Sequence, residues 1–366
     1  MNNSQKAHAL GQAIWYDNIH RKQIQSGEFG KMINGGLIFG VTSNPSIFNA
    51  AIGKSNDYDE QLRQLAAQGL SGADILEQLT ITDIQNACDL FLELYKGSDG
   101  LDGLVSIEVS PELAYDGEKT AREANRLWEL INRPNVMIKI PATQPGLEAI
   151  RRSIAAGINV NITLIFSRTR YGEVMEAYLA GLEDRQAAGK PVGHIASVAS
   201  FFVSRIDSKI DEQLSKLPEV SKTLAGRIAI ANAKLAYLDF LGVFSSERFL
   251  ALEKLGATVQ RPLWASTSTK NPAYPDTLYV DNLIGPRTVN TVPPETLEDF
   301  TQHGAVVNSL EQGLEDAERA LEALEAAGIS LNKVTDDLER EGVEKFAQAW
   351  SELQSTVETR RSQVLA

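Results

Sequence analysis

Short runs of apolar and β-branched residues alternate along the chain with longer segments in which apolar residues recur every three or four positions. The first pattern predicts strands and the second amphipathic helices, so the chain reads as parallel strands joined by crossover helices. Strand-like runs fall at 13–17, 37–42, 104–109, 136–140, 158–166, 194–200, 261–266 and 278–283. Eight parallel strands close naturally into a barrel, so the expected class is α/β, a (β/α)8 TIM barrel with chemistry at the strands' C-terminal ends. Beyond the last run, residues 308–366 are rich in Glu, Ala and Leu, with a break at Gly328. Leu310, Leu314, Ala317, Leu321 and Leu324 share one helical face there, predicting additional C-terminal helices packed on the barrel. No repeat, low-complexity tract or flexible linker interrupts the chain, so residues 1–366 are expected to form one domain.

The strand bodies are apolar, but their ends are polar. Asp17 ends the first run, Thr42-Ser43-Asn44-Pro45 follows the second, and Glu108 lies in the third. Lys139 lies in the fourth, Asn159, Asn161 and Thr163 in the fifth, Ser200 ends the sixth and Ser266 the seventh. Lys139 stands out, because Val136-Met137-Ile138-Lys139-Ile140 places an amine inside a run that reads as a buried strand. Desolvation favours the neutral amine, which can add to a carbonyl and form a Schiff base. A lone strand-end lysine more often snorkels to solvent or pairs with a carboxylate; the polar ends around Lys139 favour the nucleophile.

Such a nucleophile needs a group that moves protons. Glu108, flanked by Ile107 and Val109, is expected to be buried and to serve as that acid/base. Thr163 alternates onto the face of Asn161 and is expected to hold a water between Glu108 and Lys139, against the plainer reading of a β-branched strand filler. Asp17 is a second carboxylate at the barrel mouth, with a helix N-cap near Ile19 as its plainer reading. Ser200-Phe201-Phe202-Val203-Ser204-Arg205 runs from a strand end into a helix, a place where amides and a guanidinium bind anions. Arg205 has the alternative of pairing with Asp207 or Asp211 on the helix surface. Ser266 and Lys270, leaving the next strand, add a hydroxyl and a second cation.

The net charge of −13, with both signs interspersed, offers no basic stripe and argues against nucleic-acid partners. No apolar run is long enough to span a bilayer and no signal-peptide core follows Met1, so a cytoplasmic protein without a membrane partner is expected. Cys88 is the sole cysteine and sits at helical spacing among apolar residues, the position of a packed core thiol. His8, His20, His194 and His303 lack the spacing of a metal site, so chemistry without metal or cofactor is expected.

Together these segments closely resemble the transaldolase family. Gly40-Val41-Thr42-Ser43-Asn44-Pro45-Ser46 is similar to its threonine-asparagine-proline signature, Val136 to Pro141 to its lysine strand, and Gly157 to Leu164 to its asparagine/threonine segment. The resemblance runs from about Asp17 to Leu283 and, with the helical extension and Trp264 to Pro272, points to the longer bacterial type. It implies a metal-free class I barrel that moves a dihydroxyacetone unit from sedoheptulose 7-phosphate to glyceraldehyde 3-phosphate, yielding erythrose 4-phosphate and fructose 6-phosphate. It implies that Lys139 forms the Schiff base, that Glu108 and Thr163 act through a water, and that Asp17 handles the C4 hydroxyl proton. Thr42, Asn44 and Asn161 would meet the dihydroxyacetone unit, Ser200 and Phe202 would line the pocket, and Arg205 and Ser266 would hold phosphate. The commoner form has an arginine where this chain has Ser268; Lys270 is the expected substitute.

Three rival readings remain at this stage: a fructose-6-phosphate aldolase, a non-catalytic sugar-phosphate-binding protein, and a pyridoxal-phosphate enzyme. Phe202 argues against the first, since the aldolase relatives carry a tyrosine there, and no glycine-rich phosphate cup supports the last. The expected partners are phosphorylated sugars, with the chain a monomer or homodimer.

Overall fold

The computed structural model describes residues 1–365. Eight parallel strands close a barrel in chain order: β1 (Gln12–Tyr16), β2 (Gly40–Val41), β3 (Leu104–Glu108), β4 (Val136–Pro141), β5 (Val160–Ile165), β6 (Ser197–Phe202), β7 (Arg261–Ala265) and β8 (Thr288–Val292). Closure comes from β1 and β8, which pair from Gln12 with Thr288 to Tyr16 with Val292. Helices on the outer face bury the outward strand residues; Phe201 and Trp264 meet there edge to face, 6.1 Å between ring centroids. A fully buried aromatic of this kind contributes roughly 1.5–3 kcal/mol by leaving water.

Seven strands fall where the hydrophobic pattern places them, with shifted ends. The eighth does not. Residues 278–283 form the short helix Leu278–Asn282, in which Thr277 Oγ1 donates to Asp281 Oδ2 at 2.8 Å and Asn282 Nδ2 to the Leu278 carbonyl at 2.8 Å. A six-residue apolar run does not separate a buried helical turn from a strand. The true β8, Thr-Val-Asn-Thr-Val, buries Thr288, Asn290 and Thr291 and so carries no apolar run.

β2 is only two residues long, and its Gly40 lies under the Trp15 indole. A Cβ at Gly40 would come within 2.5 Å of Trp15 Cε2. The hydrogen bonds from Phe39 N to Ile14 O and from Thr42 N to Tyr16 O extend the contact beyond the strand proper. In β5 the register with β6 shifts between Ile162 and Ile165, and Leu164 takes a left-handed φ of 62°. Such a bulge bends a strand and re-aims its side chains.

Asn159 is a correction. It precedes β5, and its Nδ2 donates to the carbonyls of Pro134 and Val136, both at 3.0 Å, while its Oδ1 accepts from Ala196 N. It pins the N-terminal end of the barrel, opposite the mouth where the other polar strand ends gather.

The C-terminal extension forms helices Leu314–Ala326 and Leu331–Leu365; Ala366 lies outside the described residues. Leu310, Ala317 and Leu324 are buried, whereas Leu314 and Leu321 are half-buried. The 35-residue final helix crosses the barrel's C-terminal mouth, burying Gly342, Val343, Leu353 and Val357. No single helix among the described residues is long and apolar enough to cross a membrane.

Candidate active site

Glu108, Lys139 and Asn161 are successive register partners on β3, β4 and β5. Parallel neighbours in register point to the same face, so the three side chains meet inside the barrel mouth. Lys139 Nζ lies 2.6 Å from Glu108 Oε1, with side-chain exposures of only 6% and 9%. The contact is an ion pair by distance; the aligned hydrogen bond of Nζ goes to the Ser43 carbonyl at 3.3 Å. Burial raises the Glu108 carboxyl above its ordinary range, Asp17 pushes the same way, and Lys139 opposes both.

Asn161 is fixed at both ends of its amide. Its Nδ2 donates to Ser106 Oγ at 3.0 Å and its Oδ1 accepts from Ser200 Oγ at 2.7 Å. Thr163 is buried beside this layer, and its Oγ1 has no hydrogen-bond partner among the described residues.

Asp17 follows β1 directly and caps no helix; the next helix, Arg21–Gln25, is capped by His20. Instead, Asp17 Oδ1 accepts from Thr42 Oγ1 at 2.6 Å, and Thr42 Oγ1 lies 2.6 Å from Thr291 Oγ1. A hydroxyl has one proton, and Thr42 gives its proton to the carboxylate. Thr291 must therefore donate to Thr42. Asn44 caps the helix Pro45–Lys54, its Oδ1 accepting from Ile47 N at 3.0 Å, and Ser43 Oγ donates to the Ser106 carbonyl at 2.8 Å. Thr42 is thus held by Asp17 and β8, Ser43 by β3, and Asn44 by the helix it starts.

At the ends of β6 and β7 two cations come together. Arg205 sits in the first turn of the helix Ser204–Leu214, whose N-terminus carries no side-chain cap. Burial lowers its pKa, with Asp17 opposing, and no carboxylate lies within salt-bridge distance of it among the described residues. Asp207 and Asp211 are occupied elsewhere: Asp207 accepts from Ala229 N and Tyr279, and Asp211 from Gly226 N and Tyr274. Lys270 is depressed by desolvation and then by Arg205, which places the two charges within electrostatic reach. Ser266, at a left-handed φ of 55°, brings its Oγ within 3.1 Å of Ser204 Oγ. Two cations without a salt-bridge partner among the described residues, two hydroxyls and a helix N-terminus without a side-chain cap are suited to hold an anion. Phe202 borders it, with its ring centroid 5.1 Å from the Arg205 guanidinium and 5.1 Å from Phe166.

The expected site residues thus gather at one mouth. Sequence reasoning missed Thr291, hidden in the overlooked β8, as well as Ser106 and Ser204, whose hydroxyls hold Asn161 and Ser266. It also missed Val343 and Phe346 of the final helix, which line a small cavity with Lys139. No local signal marks these two, because only the path of the helix brings them there. Cys88 is buried and its thiol is raised by desolvation, as for a packed core thiol. His303 Nε2 lies 2.8 Å from Asp276 beside Asp299, an exposed cluster that a surface ion pair accounts for.

Residues 14–357 match the sequence model of the Transaldolase/Fructose-6-phosphate aldolase family. The chain is 50% identical over 345 residues to a transaldolase of Thermobifida fusca (strain YX), covering 94% of each chain. It is 50% identical over 348 residues to one from Saccharopolyspora erythraea, covering 95% of this chain and 94% of the relative. A transaldolase of Mycolicibacterium smegmatis is 48% identical over 347 residues, 94% of each chain. On its sequence, its barrel and this site, the chain belongs to the transaldolase/fructose-6-phosphate aldolase family, on the transaldolase side.

Proposed function

We propose that this enzyme moves a dihydroxyacetone unit between phosphorylated sugars through an imine on Lys139. The observation that carries this reading is the buried Glu108–Lys139 pair at the barrel mouth, with Asp17 and an anion site on the same rim. Lys139 Nζ adds to the C2 carbonyl of sedoheptulose 7-phosphate. Glu108, relayed by a water on Thr163, protonates the carbinolamine oxygen, and water leaves as the imine forms. Asp17 then takes the proton of the C4 hydroxyl. The C3–C4 bond breaks, its electrons enter the imine to give an enamine, and erythrose 4-phosphate departs. Glyceraldehyde 3-phosphate takes its place, C3 attacks the aldehyde carbon, and Asp17 returns the proton to the new hydroxyl. Hydrolysis of the imine releases fructose 6-phosphate.

Thr42, Asn44 and Asn161 hold the hydroxyls of the three-carbon unit, Ser200 fixes Asn161, and Arg205, Ser266 and Lys270 hold the terminal phosphate. Phe202 excludes water from the adduct; its ring has no donor or acceptor to orient one. We assign the chain to a single domain and to the cytoplasm, as a monomer or homodimer, which light scattering will decide.

The test is borohydride reduction with fructose 6-phosphate, followed by peptide mapping. Lys139→Ala should abolish trapping and turnover while the protein remains folded. Trapping on another lysine would overturn the assignment. With fructose 6-phosphate alone, wild type should stall as a trapped adduct and release little dihydroxyacetone, adding erythrose 4-phosphate should restart turnover by transfer, and Phe202→Tyr should shift the balance toward release.

A further inference from the structure

The final helix crosses the mouth at Lys139 rather than merely packing beside it. Gly342 rests on Leu164, the residue of β5 in left-handed conformation, and a Cβ at Gly342 would lie 3.0 Å from Leu164 Cδ2. That close approach sets the next turn of the helix over the lysine, with the Phe346 ring centroid 5.8 Å from Lys139 Nζ. Between them lies a cavity of about 20 Å³ whose polar wall is Glu108, Lys139 and Thr163 and whose apolar wall includes Leu164, Val343 and Phe346. A cavity needs roughly 10–15 Å³ to hold one water, so this one is on the scale of a single water. Thr163, only 3% exposed, has no hydrogen-bond partner for its Oγ1 among the described residues and borders this space.

We propose that Phe346, with Val343 behind it, is a specificity-determining residue that limits the lysine to a single water and so separates group transfer from hydrolysis. The inference rests on the proposed imine at Lys139. One water is required, because carbinolamine breakdown and final imine hydrolysis each exchange one with C2. A second water is harmful. It can deliver a proton to C3 of the enamine, two bonds from Nζ. The water's O–H bond breaks as the C3–H bond forms, the hydroxide left takes the enamine N–H proton so that the imine returns, water adds at C2, the C2–N bond breaks, and dihydroxyacetone leaves with the amine regenerated. Phenyl and isopropyl groups close this route because they neither hydrogen-bond water nor leave space for it.

The experiment compares dihydroxyacetone release with transfer to erythrose 4-phosphate, starting from fructose 6-phosphate, in wild type, Phe346→Ala, Phe346→Leu and Val343→Ala. Phe346→Ala should raise the release-to-transfer ratio by at least about tenfold, the effect an apolar pocket exerts for each missing apolar group. Borohydride trapping at Lys139 should persist. Phe346→Leu, which restores an apolar wall, should return the ratio most of the way to wild type. Val343→Ala, a smaller change, should move it in the same direction and decides the matter if Phe346→Ala does not fold. A parallel fall in release and transfer, with the ratio unchanged in these variants, would assign both residues to packing and end the proposal. Failure of the transaldolase reading looks different: wild type itself would release dihydroxyacetone as fast as it transfers it.

Discussion

Glu108 and Lys139 are register partners on adjacent parallel strands, and the 2.6 Å between Oε1 and Nζ follows from that pairing. A slip of one residue would turn one of the two out of the barrel. Apolar packing that holds the strands in register therefore also sets the distance between the amine and the carboxyl beside it. Burial raises that carboxyl, so it retains a proton further toward neutral pH than a surface glutamate does.

Asp17 and Glu108 occupy different surroundings, one half-buried and bound to Thr42, the other against Lys139. Glu108→Gln should slow imine formation itself, and Asp17→Asn should form the imine yet fail at cleavage, each by about 10²- to 10⁴-fold. Single-turnover trapping separates the steps. A block at the same step in both variants contradicts the division.

Arg205→Ala should raise KM for phosphorylated acceptors by roughly 10- to 100-fold, the worth of a hydrogen bond to a charged group. Lys270→Ala should do the same to a lesser degree, since Lys270 is exposed. Activity with unphosphorylated glyceraldehyde should fall far less. Equal losses with both acceptors would assign Arg205 to the fold.

Thr291 touches Thr42 and not Asp17, so it is a positioning residue. Thr291→Val removes the donor that orients the Thr42 hydroxyl and should cost roughly tenfold in cleavage, the size of one lost hydrogen bond. Imine trapping should be unchanged, and Thr291→Ser should restore cleavage. Loss of trapping and cleavage together, without rescue by serine, points to a packing role.

Asp207 is pushed up to about 7, first by burial and also by Asp211, with the amide of Ala229 and the Tyr279 hydroxyl opposing. Its folded value lies above its unfolded value of 3.8, so its contribution to stability is greatest below pH 4 and is lost as pH rises through 7. Between pH 5 and 8 that loss is roughly 2 to 3 kcal/mol. Asp207→Asn removes it, so thermal melts of wild type and variant should diverge in the variant's favour over this range. A constant difference between the two curves would show that Asp207 does not titrate there.

Much of the site was legible because charge inside an apolar run is conspicuous. Lys139 and Glu108 each interrupt β-branched neighbours, and burying either needs a partner, so each announces chemistry. Asp17, Asn161, Thr163 and Ser200 followed from the rule that barrel strands end at the site. The same reasoning misplaced Asn159, since a polar residue at a strand's edge does not declare which end of the barrel it occupies. It also missed β8: a strand that buries Thr288, Asn290 and Thr291 reads as polar loop, and Thr291 was lost with it.

By itself the sequence determined the barrel, the lysine and the carboxylate beside it, because backbone periodicity and the cost of burying charge act locally. Tertiary structure decided that Thr291 steers Asp17 through Thr42, that Arg205 and Lys270 converge, and that Phe346 stands over Lys139. Those relations join residues far apart along the chain. They depend on which strand closes the barrel and on how nearly Gly342 lets the final helix approach Leu164, and no periodicity records either.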